Sequence, residues 1–337
     1  MSEERATRID RFLAQSGWAG ARREKLPGDA SFRRYVRLHG SEKNRAMLMD
    51  APPPREDVRS YLAVARLLRH LGFAAPAILN QDAEDGLLLI EDLGDATYTR
   101  LLAQNEAEEP LYALAVDVLI EIARRFNAKD ADFLASYDDE RLLDEAALLV
   151  DWYWPAITGV PADEALRAEY RSLWRQVLPV ARRVPSSLVL RDFHVDNLMR
   201  VDDRDGIMCC GLLDFQDAVQ GPVSYDLVSL LEDARRDVPE TLAQRMKARY
   251  LAAFPALDRN AFEASYCVLG AQRSAKIIGI FTRLCLRDGK PQYLAHIPRV
   301  WRLLERDLAH PALAPVSQWL GRRIPPAHRR IPPCPAA

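Results

Sequence analysis

The sequence predicts an α+β fold in which a small antiparallel sheet comes first and a mainly helical part follows. Short apolar runs separated by glycine, proline and polar residues fill the beginning of the 337-residue chain and are typical of strands. Beyond residue 95, apolar residues recur at helical spacing in long segments. With 49% hydrophobic residues, the chain can bury one large or two modest cores.

The N-terminal part combines a helix, a small sheet and a second helix. Ile9, Phe12 and Leu13 share one face of a predicted amphipathic helix, because their spacing follows the helical repeat. Strand-like runs separated by turns occupy residues 24–50. Apolar residues between 58 and 71 again recur at helical spacing. These patterns indicate an antiparallel sheet crossed by one helix.

A polar connection marks the predicted boundary between two domains. The apolar run 87–90 is short enough to be a buried strand, and Glu91-Asp92-Leu93-Gly94 follows it at once. We therefore predict an N-terminal domain over residues 1–93 and a C-terminal domain over 94–325. Residues 326–337 form a proline-rich tail that we expect to be poorly ordered.

The C-terminal domain is predicted to be helical with two short strands. The apolar runs 187–190 and 211–213 are strand-like, and each leads directly into acidic residues. Apolar stripes predict helices over 111–126, 142–157, 165–184, 242–254, 261–286 and 299–308.

Charge and hydropathy exclude several classes of protein. The formal net charge of −2, from 46 basic and 48 acidic residues, provides no general attraction to nucleic acid or anionic membranes. No segment has the roughly 20 uninterrupted apolar residues of a membrane-spanning helix, and the N-terminus lacks a signal-peptide core. We expect a cytoplasmic enzyme that binds neither nucleic acid nor membrane, and no obligate protein partner is evident.

Cysteine usage favours a reducing compartment. The five cysteines are odd in number and show no C-x-x-C spacing, so neither a disulfide framework nor a zinc site is expected.

One constellation of polar residues points to phosphoryl transfer. Asp192 follows an apolar strand and Asn197 comes five residues later, which is the pattern D-x-x-x-x-N. Asp214 follows the next short strand, seventeen residues after Asn197. Phosphoryl transfer needs a carboxylate that accepts the proton of the attacking hydroxyl, and oxygen ligands that hold magnesium against nucleotide phosphates. Asp192 suits the first role, and Asn197 and Asp214 suit the second.

This arrangement resembles the catalytic loop and metal-binding strand of protein kinases, and more closely those of aminoglycoside phosphotransferases and choline kinases. The resemblance implies a bilobal kinase-like fold with a small antiparallel-sheet N-lobe and a mainly helical C-lobe. It also implies the cofactors ATP and Mg²⁺. Leu190 stands where kinases have a histidine that packs, whereas Arg191 keeps the adjacent basic residue.

Two further residues near the motif have alternative interpretations. Asp226 resembles the aspartate that braces the catalytic loop in these families; it is equally interpreted as a first-turn carboxylate of a helix beside Ser224. His194 lies inside the loop, but packing or hydrogen bonding is the favoured role because Asp192 already serves as the base.

The phosphate-binding lysine of kinases is missing. Met49 occupies its position in the strand 46–49, and Glu56 matches the glutamate that usually pairs with that lysine. Arg33, Arg34 and Lys43 are neighbouring cations, although a solvated strand face is the alternative for each of them. The backbone amides of one turn can also cradle phosphates without side-chain charge: Gly28, Asp29, Ala30 and Ser31.

The kinase resemblance also predicts where adenine binds. Glu91 and Leu93 of the connection are expected to offer a backbone acceptor and a backbone donor to the base, as the hinge of kinase-like folds does. Leu89 and Ile90 would supply apolar walls, and both are equally compatible with a buried strand.

A narrower resemblance concerns the acceptor. The chain resembles the bacterial anomeric kinases that phosphorylate N-acetylmuramate and N-acetylglucosamine in cell-wall recycling, and this group shares the methionine in place of lysine. The resemblance implies that the acceptor is an amino sugar and that the product is the sugar 1-phosphate. The stretches that carry it are 28–35, 49–53, 151–153, 191–199, 279–284 and 287–290.

Four residues are candidates for acceptor binding. Trp152 and Tyr153 could offer an aromatic face to the C–H surface of a sugar, with core packing as the alternative. Arg273 and Lys276 lie one turn apart on a predicted helix and could pair with a lactyl carboxylate, with a solvated helix face as the alternative.

Two other functions stay open at this stage. The chain could phosphorylate another small alcohol, such as an aminoglycoside, choline or homoserine. It could also be a pseudokinase-like module that binds nucleotide without turnover, which Met49 and Leu190 allow.

Overall fold

The computed structural model describes residues 3–27, 32–41 and 44–334. The strands are β1 (Arg22–Lys25), β2 (Arg34–His39), β3 (Arg45–Asp50), β4 (Ile78–Asp82), β5 (Leu87–Glu91), β6 (Ser186–Val189), β7 (Leu198–Arg200), β8 (Cys210–Leu212) and β9 (Val219–Pro222). The helices are α1 (Glu3–Gln15), α2 (Val58–His70), α3 (Tyr98–Ala103), α4 (Glu108–Arg125), α5 (Asp139–Leu148), α6 (Trp154–Thr158), α7 (Glu164–Ala181), α8 (Tyr225–Leu231), α9 (Glu240–Ala252), α10 (Arg259–Leu286), α11 (Ile297–Asp307) and α12 (Ala314–Arg323).

The chain forms two compact units. The first comprises Met1–Val118 and Val195–Ala218, and the second comprises Leu119–His194 and Val219–Ala337. The backbone therefore leaves the second unit for the first directly after His194 and returns after Ala218. The boundary at residues 93–94 remains a prediction.

The first unit is built on the expected antiparallel sheet. Five strands lie in the order β1-β2-β3-β5-β4, and every neighbouring pair is antiparallel. Leu48 of β3 pairs with Val36 on one side and with Leu89 on the other. The apolar face of α1 covers these strands, because Ile9, Phe12 and Leu13 pack into one cluster with their residues. The predicted sheet and N-terminal helix are confirmed.

The helix α2 follows the sheet as its apolar spacing predicts. Its N-cap is Asp57, whose side chain accepts a hydrogen bond from the Arg59 amide and so satisfies one of the unpaired donors of the first turn. Tyr61 on the buried face of α2 stacks on Phe215, with the ring centroids 4.9 Å apart. The contact links α2 to the segment that carries Asp214.

The second unit is organised around the 28-residue helix α10. Its glycine at position 279 allows a close approach to α5, since a Cβ atom there would lie 2.3 Å from the carbonyl carbon of Leu148. The helical spacing over 142–157 is confirmed, but the residues Leu149–Tyr153 form a π-helical turn between α5 and α6. Such turns often accompany functional sites.

The proline-rich tail has contacts that sequence analysis did not foresee. The Tyr153 hydroxyl accepts a hydrogen bond from the Arg330 amide at 2.9 Å and lies 2.8 Å from the His328 carbonyl oxygen. Cys334 forms a disulfide with Cys285 of α10, with the Cα atoms 6.6 Å apart. The expectation of no disulfide was therefore wrong, because folding joins two cysteines 49 residues apart. We also expected this tail to be poorly ordered, whereas His328, Arg330 and Cys334 make specific contacts with the second unit.

Within the described ranges, the search for a helix long and apolar enough to cross a bilayer finds none.

Candidate active site

The loop that carries Asp192 is held by a buried carboxylate. The strand β6 ends at Val189, and the next two amides, those of Leu190 and Arg191, donate hydrogen bonds to the two Asp226 side-chain oxygens at 2.6 and 2.9 Å. Arg191 has a positive φ of 71°, a conformation that few side chains favour. The bidentate contact with Asp226 stabilises this turn and so fixes the position of the backbone at Asp192, the next residue.

Asp226 lies in the first turn of α8 and is 3% exposed. Burial raises the pKa of its carboxyl to about 7, because desolvation outweighs the two backbone hydrogen bonds. The negative charge of Asp192 acts in the same direction as burial. The two interpretations of Asp226 from the sequence are thus compatible, since a first-turn helix carboxylate is also the group that holds the loop.

Asp192 is surrounded by positive charge. Burial favours its neutral form, but the nearby charges of Lys276, of His194 when it is protonated, and of Arg273 and Arg191 lower its pKa below the usual value. A carboxyl with a lowered pKa is ionised at neutral pH and is able to accept a hydrogen bond from a hydroxyl. Burial lowers the pKa of His194, so that its imidazole is the neutral form at neutral pH.

Glu145 of α5 joins two of these cations. Its carboxylate lies 3.1 Å from the Lys276 ammonium and forms an ion pair with the guanidinium of Arg191. The Tyr137 hydroxyl donates to it at 2.5 Å, and the Gln272 amide lies at 3.3 Å. Burial opposes ionisation of Glu145, yet the charges of Lys276 and Arg191 lower its pKa. The positive charge of Lys276 is therefore paired with the carboxylate of Glu145, within the second unit.

Arg273 differs from Lys276, although both lie on α10. Its side chain is 6% exposed. Its guanidinium makes no hydrogen bond or ion pair with any residue of the chain, as far as residues 3–27, 32–41 and 44–334 are described. It acts on Asp192 through charge alone, because it lowers the pKa of that carboxyl without a direct ion pair.

Asn197 and Asp214 lie at one end of a two-stranded ladder in the first unit. Antiparallel pairing sets Leu198 of β7 opposite Leu212 of β8, and the Leu213 amide donates to the Asn197 carbonyl at 2.9 Å. Asp214 follows directly, with a positive φ of 55°.

The side chains of Asn197 and Asp214 carry the kind of oxygen donors that a magnesium ion takes. Mg²⁺ takes oxygen ligands and is held by one or two protein groups together with substrate phosphates. Among the described residues no group of three or more His, Cys, Asp or Glu could hold a metal ion by itself. A site that depends on nucleotide oxygens for the remaining ligands is consistent with that donor set.

Arg33 lies beside the metal-ligand candidate. One guanidinium nitrogen is 3.2 Å from Asp214 Oδ1, and Arg33 Nε is 3.7 Å from Glu56 Oε2. Met49 of β3 is fully buried and apolar. Arg34, by contrast, has a 52% exposed side chain that lies 3.8 Å from Asp50. Of the two described cations next to the turn, Arg33 is the one that the fold directs toward Glu56 and Asp214.

The predicted adenine-binding connection is anchored through its acidic side chains. Glu91 ends β5, its amide donates to the Ala77 carbonyl at 2.9 Å, and its carboxylate forms an ion pair with Arg204. Arg37 of β2 lies 2.8 Å from Asp92 Oδ2 and donates to the Gly94 carbonyl at 3.0 Å.

Leu93 packs against β8. A Cβ atom at Gly211 would lie 2.9 Å from Leu93 Cδ1, so the Leu93 side chain lies close against the backbone of β8. This contact orders the backbone that the sequence predicts as the hinge.

The aromatic candidates for a sugar site have different surroundings. Tyr153 is fully buried, its hydroxyl is bonded to the tail, and its ring lies 5.6 Å from that of Trp301. These contacts contradict the sugar-binding role predicted for Tyr153, because core packing uses both its ring and its hydroxyl. Trp152 is half-buried in the π-helical turn and stays a candidate. The phosphate-cradling turn formed by Gly28, Asp29, Ala30 and Ser31 lies outside the described residues.

Sequence analysis missed Glu145 and Arg37. Each is one charged residue on a predicted helix or strand, and in a single sequence such a residue is indistinguishable from a solvated one. The helical spacing did offer one signal, since Glu145 falls on the apolar stripe of 142–157, where Leu142 and Leu149 are buried.

Comparisons with known proteins identify the family of the chain. A family model described as "Phosphotransferase enzyme family" matches residues 22–261. A protein of Caulobacter vibrioides is 37% identical over 98% of this chain and 99% of its own length. A protein of Pseudomonas aeruginosa is 38% identical over 92% of this chain and 91% of its own. Both are named N-acetylmuramate/N-acetylglucosamine kinase.

Solved structures share the fold at low sequence identity. A choline/ethanolamine kinase family protein from Mesorhizobium loti superposes with a TM-score of 0.61 at 13% identity, over 92% of this chain and 97% of that one. The GDP complex of aminoglycoside 2′-phosphotransferase-IIIa also has a TM-score of 0.61, at 14% identity over 91% and 99%. The kinase-like α+β fold that the sequence predicts is confirmed, and the chain belongs to the phosphotransferase enzyme family.

Proposed function

We propose that this enzyme transfers the γ-phosphoryl group of ATP to the anomeric hydroxyl of N-acetylmuramate or N-acetylglucosamine, in a pathway that recycles cell-wall sugars. The acceptor comes from the printed names of relatives that are 36–38% identical over most of the chain. The anomeric position comes from the family resemblance of the sequence, and the cytoplasmic setting stays the expectation drawn from hydropathy.

One observation carries the catalytic part of the proposal. Asp192 is an ionised carboxylate on a loop that two hydrogen bonds to Asp226 hold in an unusual conformation. A preorganised carboxylate is what a kinase needs to orient an acceptor hydroxyl. The kinase names of the relatives favour an enzyme over a binding module without turnover.

In this proposal Asp192 accepts a hydrogen bond from the anomeric hydroxyl and takes its proton as that oxygen bonds to the γ-phosphorus of ATP and the bond from this phosphorus to the leaving ADP breaks. That hydroxyl is more acidic than the others of the sugar, so a weak base suffices when transfer is loose and the proton leaves late. Asn197 and Asp214 would hold Mg²⁺, which neutralises charge on the nucleotide phosphates when bound. Arg33 would add a positive charge on the same side.

The test compares reducing sugars with blocked ones. Purified enzyme with ATP and Mg²⁺ is given N-acetylglucosamine, N-acetylmuramate and their methyl glycosides, and the product is examined by phosphorus NMR. We expect the two reducing sugars to react, the glycosides to stay unchanged, and phosphorus–proton coupling to place the phosphate on C1. A chelator should stop the reaction until Mg²⁺ is restored.

Two results would contradict parts of the proposal. An active methyl glycoside, or phosphate on C6, would overturn the anomeric position while leaving a sugar kinase. Turnover of choline, homoserine or an aminoglycoside with no turnover of either amino sugar would replace the acceptor with another small alcohol.

A further inference from the structure

We propose that Arg273 is the residue that recognises the carboxylate of N-acetylmuramate, and that Lys276 does not take part in this recognition. The inference rests on the proposed function and deepens it, because it assigns the selectivity between the two amino sugars to one side chain. The two sugars differ by a single group, the lactyl ether on O3, which carries a carboxylate in N-acetylmuramate and is missing from N-acetylglucosamine.

The observation that carries the proposal is a largely buried arginine residue without a partner in the described part of the chain. Arg273 is 6% exposed and its guanidinium has no hydrogen-bonding or ion-pairing partner in the described part of the chain. Burying a charge without a partner opposes folding, and such charges are normally paired or bound to a ligand. We therefore expect the guanidinium of Arg273 to pair with an anionic group of a bound ligand.

The second step separates Arg273 from its neighbour. Lys276 lies one turn further along α10, but its ammonium is 3.1 Å from Glu145 Oε1, and both side chains are 12% exposed. Glu145 also pairs with Arg191. Binding an acceptor carboxylate to Lys276 would force that anion against the carboxylate of Glu145. Arg273 also lowers the pKa values of Asp192 and Asp226, but no carboxylate among the described residues is paired with its guanidinium.

The third step concerns position relative to the reacting oxygen. The charges of Lys276 and Arg273 both lower the pKa of Asp192, that of Lys276 more strongly, and the described contacts of Arg273 include no ion pair with that carboxylate. A sugar that donates its C1 hydroxyl to Asp192 carries its O3 substituent in a 1,3 relationship to that hydroxyl. A cation near the base but outside direct contact is therefore suited to a group on O3.

The fourth step concerns chemistry. A guanidinium offers a planar pair of N–H donors that matches both carboxylate oxygens, which an ammonium cannot do. The transferring phosphoryl group is the other anion in the reaction, but Arg33 and the metal-ligand candidates of the first unit are available to it. We therefore assign Arg273 to the acceptor.

The experiment measures kcat and KM for both amino sugars with wild-type enzyme and with Arg273→Met. We expect kcat/KM for N-acetylmuramate to fall about 100-fold, as loss of a charge-assisted hydrogen bond implies, chiefly through KM. N-acetylglucosamine has no carboxylate, so its kcat/KM should fall by a much smaller factor, which reports only the loss of the Arg273 charge that acts on Asp192. Arg273→Lys, which keeps the charge but not the fork, should recover part of the loss.

Stability supplies a second measurement that does not depend on turnover. Methionine fills much of the space of arginine and removes an unpaired charge, so Arg273→Met should melt at or above the temperature of the wild type. N-acetylmuramate added without nucleotide should raise the melting temperature of the wild type but not that of the variant. The matched control is Lys276→Met, which leaves Glu145 without one partner and should lower the melting temperature and impair both acceptors alike.

The outcomes are separable. Equal losses of kcat for both sugars in Arg273→Met would mean that Arg273 contacts the phosphoryl group, and would overturn the proposal. A lower melting temperature with equal impairment would make it structural, and unchanged kinetics would remove it from the site. If the wild type phosphorylates neither amino sugar, the proposed function itself fails before the variant is considered.

Discussion

The guanidinium of Arg33 lies 3.2 Å from the carboxylate of Asp214, on the strand end where a kinase binds its metal and phosphates. Glu56 lies on the other side of Arg33 at 3.7 Å. In kinases a lysine pairs with a glutamate and binds nucleotide phosphates. Here Met49 has that lysine's strand position and is buried, and Arg33, the residue before β2, supplies a positive charge near Glu56.

Arg33→Met is expected to raise the KM for ATP about 10- to 100-fold, because a charge-assisted contact is lost from the phosphate side. The matched control is Arg34→Met, since Arg34 is the next residue and half exposed. It should change the KM for ATP little, and Met49→Leu should do the same. Initial rates at varied ATP provide the measurement, and equal effects at Arg33 and Arg34 would contradict a specific role for Arg33.

The pH dependence of stability should reveal Asp226. Its pKa is about 7 in the folded chain, chiefly because of burial, and about 3.9 in an unfolded one. Between these values the folded chain holds a proton that the unfolded chain has lost. This contribution to stability is full below pH 4, declines as the pH rises, and is gone above pH 7.

Asp226→Asn cannot titrate, so the melting temperature of the wild type minus that of the variant should decrease between pH 5 and pH 7.5. The comparison cancels the other titrating groups that the two proteins share. A difference that stays constant with pH would mean that Asp226 is ionised throughout, held in that form by the Leu190 and Arg191 amides.

Close packing at Gly279 leads to a prediction about the second unit. A Cβ atom there would lie 2.3 Å from the carbonyl carbon of Leu148, so Gly279→Ala must push α10 away from α5. We expect a loss of about 1 to 3 kcal/mol in the free energy of unfolding, as overpacking typically costs. Denaturant unfolding measures it.

Gly321→Ala is the control for this change. Gly321 lies in α12, where a Cβ atom would meet nothing within 4 Å, so alanine should add about 0.5 to 1 kcal/mol of stability. A stable Gly279→Ala variant would show that the two helices can separate without cost.

Much of the fold and the central motif could be predicted from local sequence. Asp192, Asn197 and Asp214 each lie next to a short apolar strand. The end of such a strand can be recognised from the residues that adjoin it in the sequence. The helical spacing likewise predicted α4, α7, α9, α10 and α11 nearly to their ends.

The contacts between distant segments could not be predicted in this way. Glu145 is 46 residues from Arg191, and nothing in the local pattern connects them. Arg273 and Lys276 look alike in sequence, and only the position of Glu145 on α5 separates a paired cation from an unpaired one. Tyr153 was interpreted as a possible sugar contact because its burial depends on Trp301 and the tail.

The most direct test of the account is Asp192→Asn, which keeps the shape of the side chain and removes the proton acceptor. The measurement pairs kcat with an acceptor amino sugar and the dissociation constant of ATP, determined by calorimetry on the same preparation. The account predicts a loss of kcat of about 10² to 10⁴ with ATP binding unchanged, because the base acts on the acceptor hydroxyl. Near-normal turnover by Asp192→Asn would contradict it.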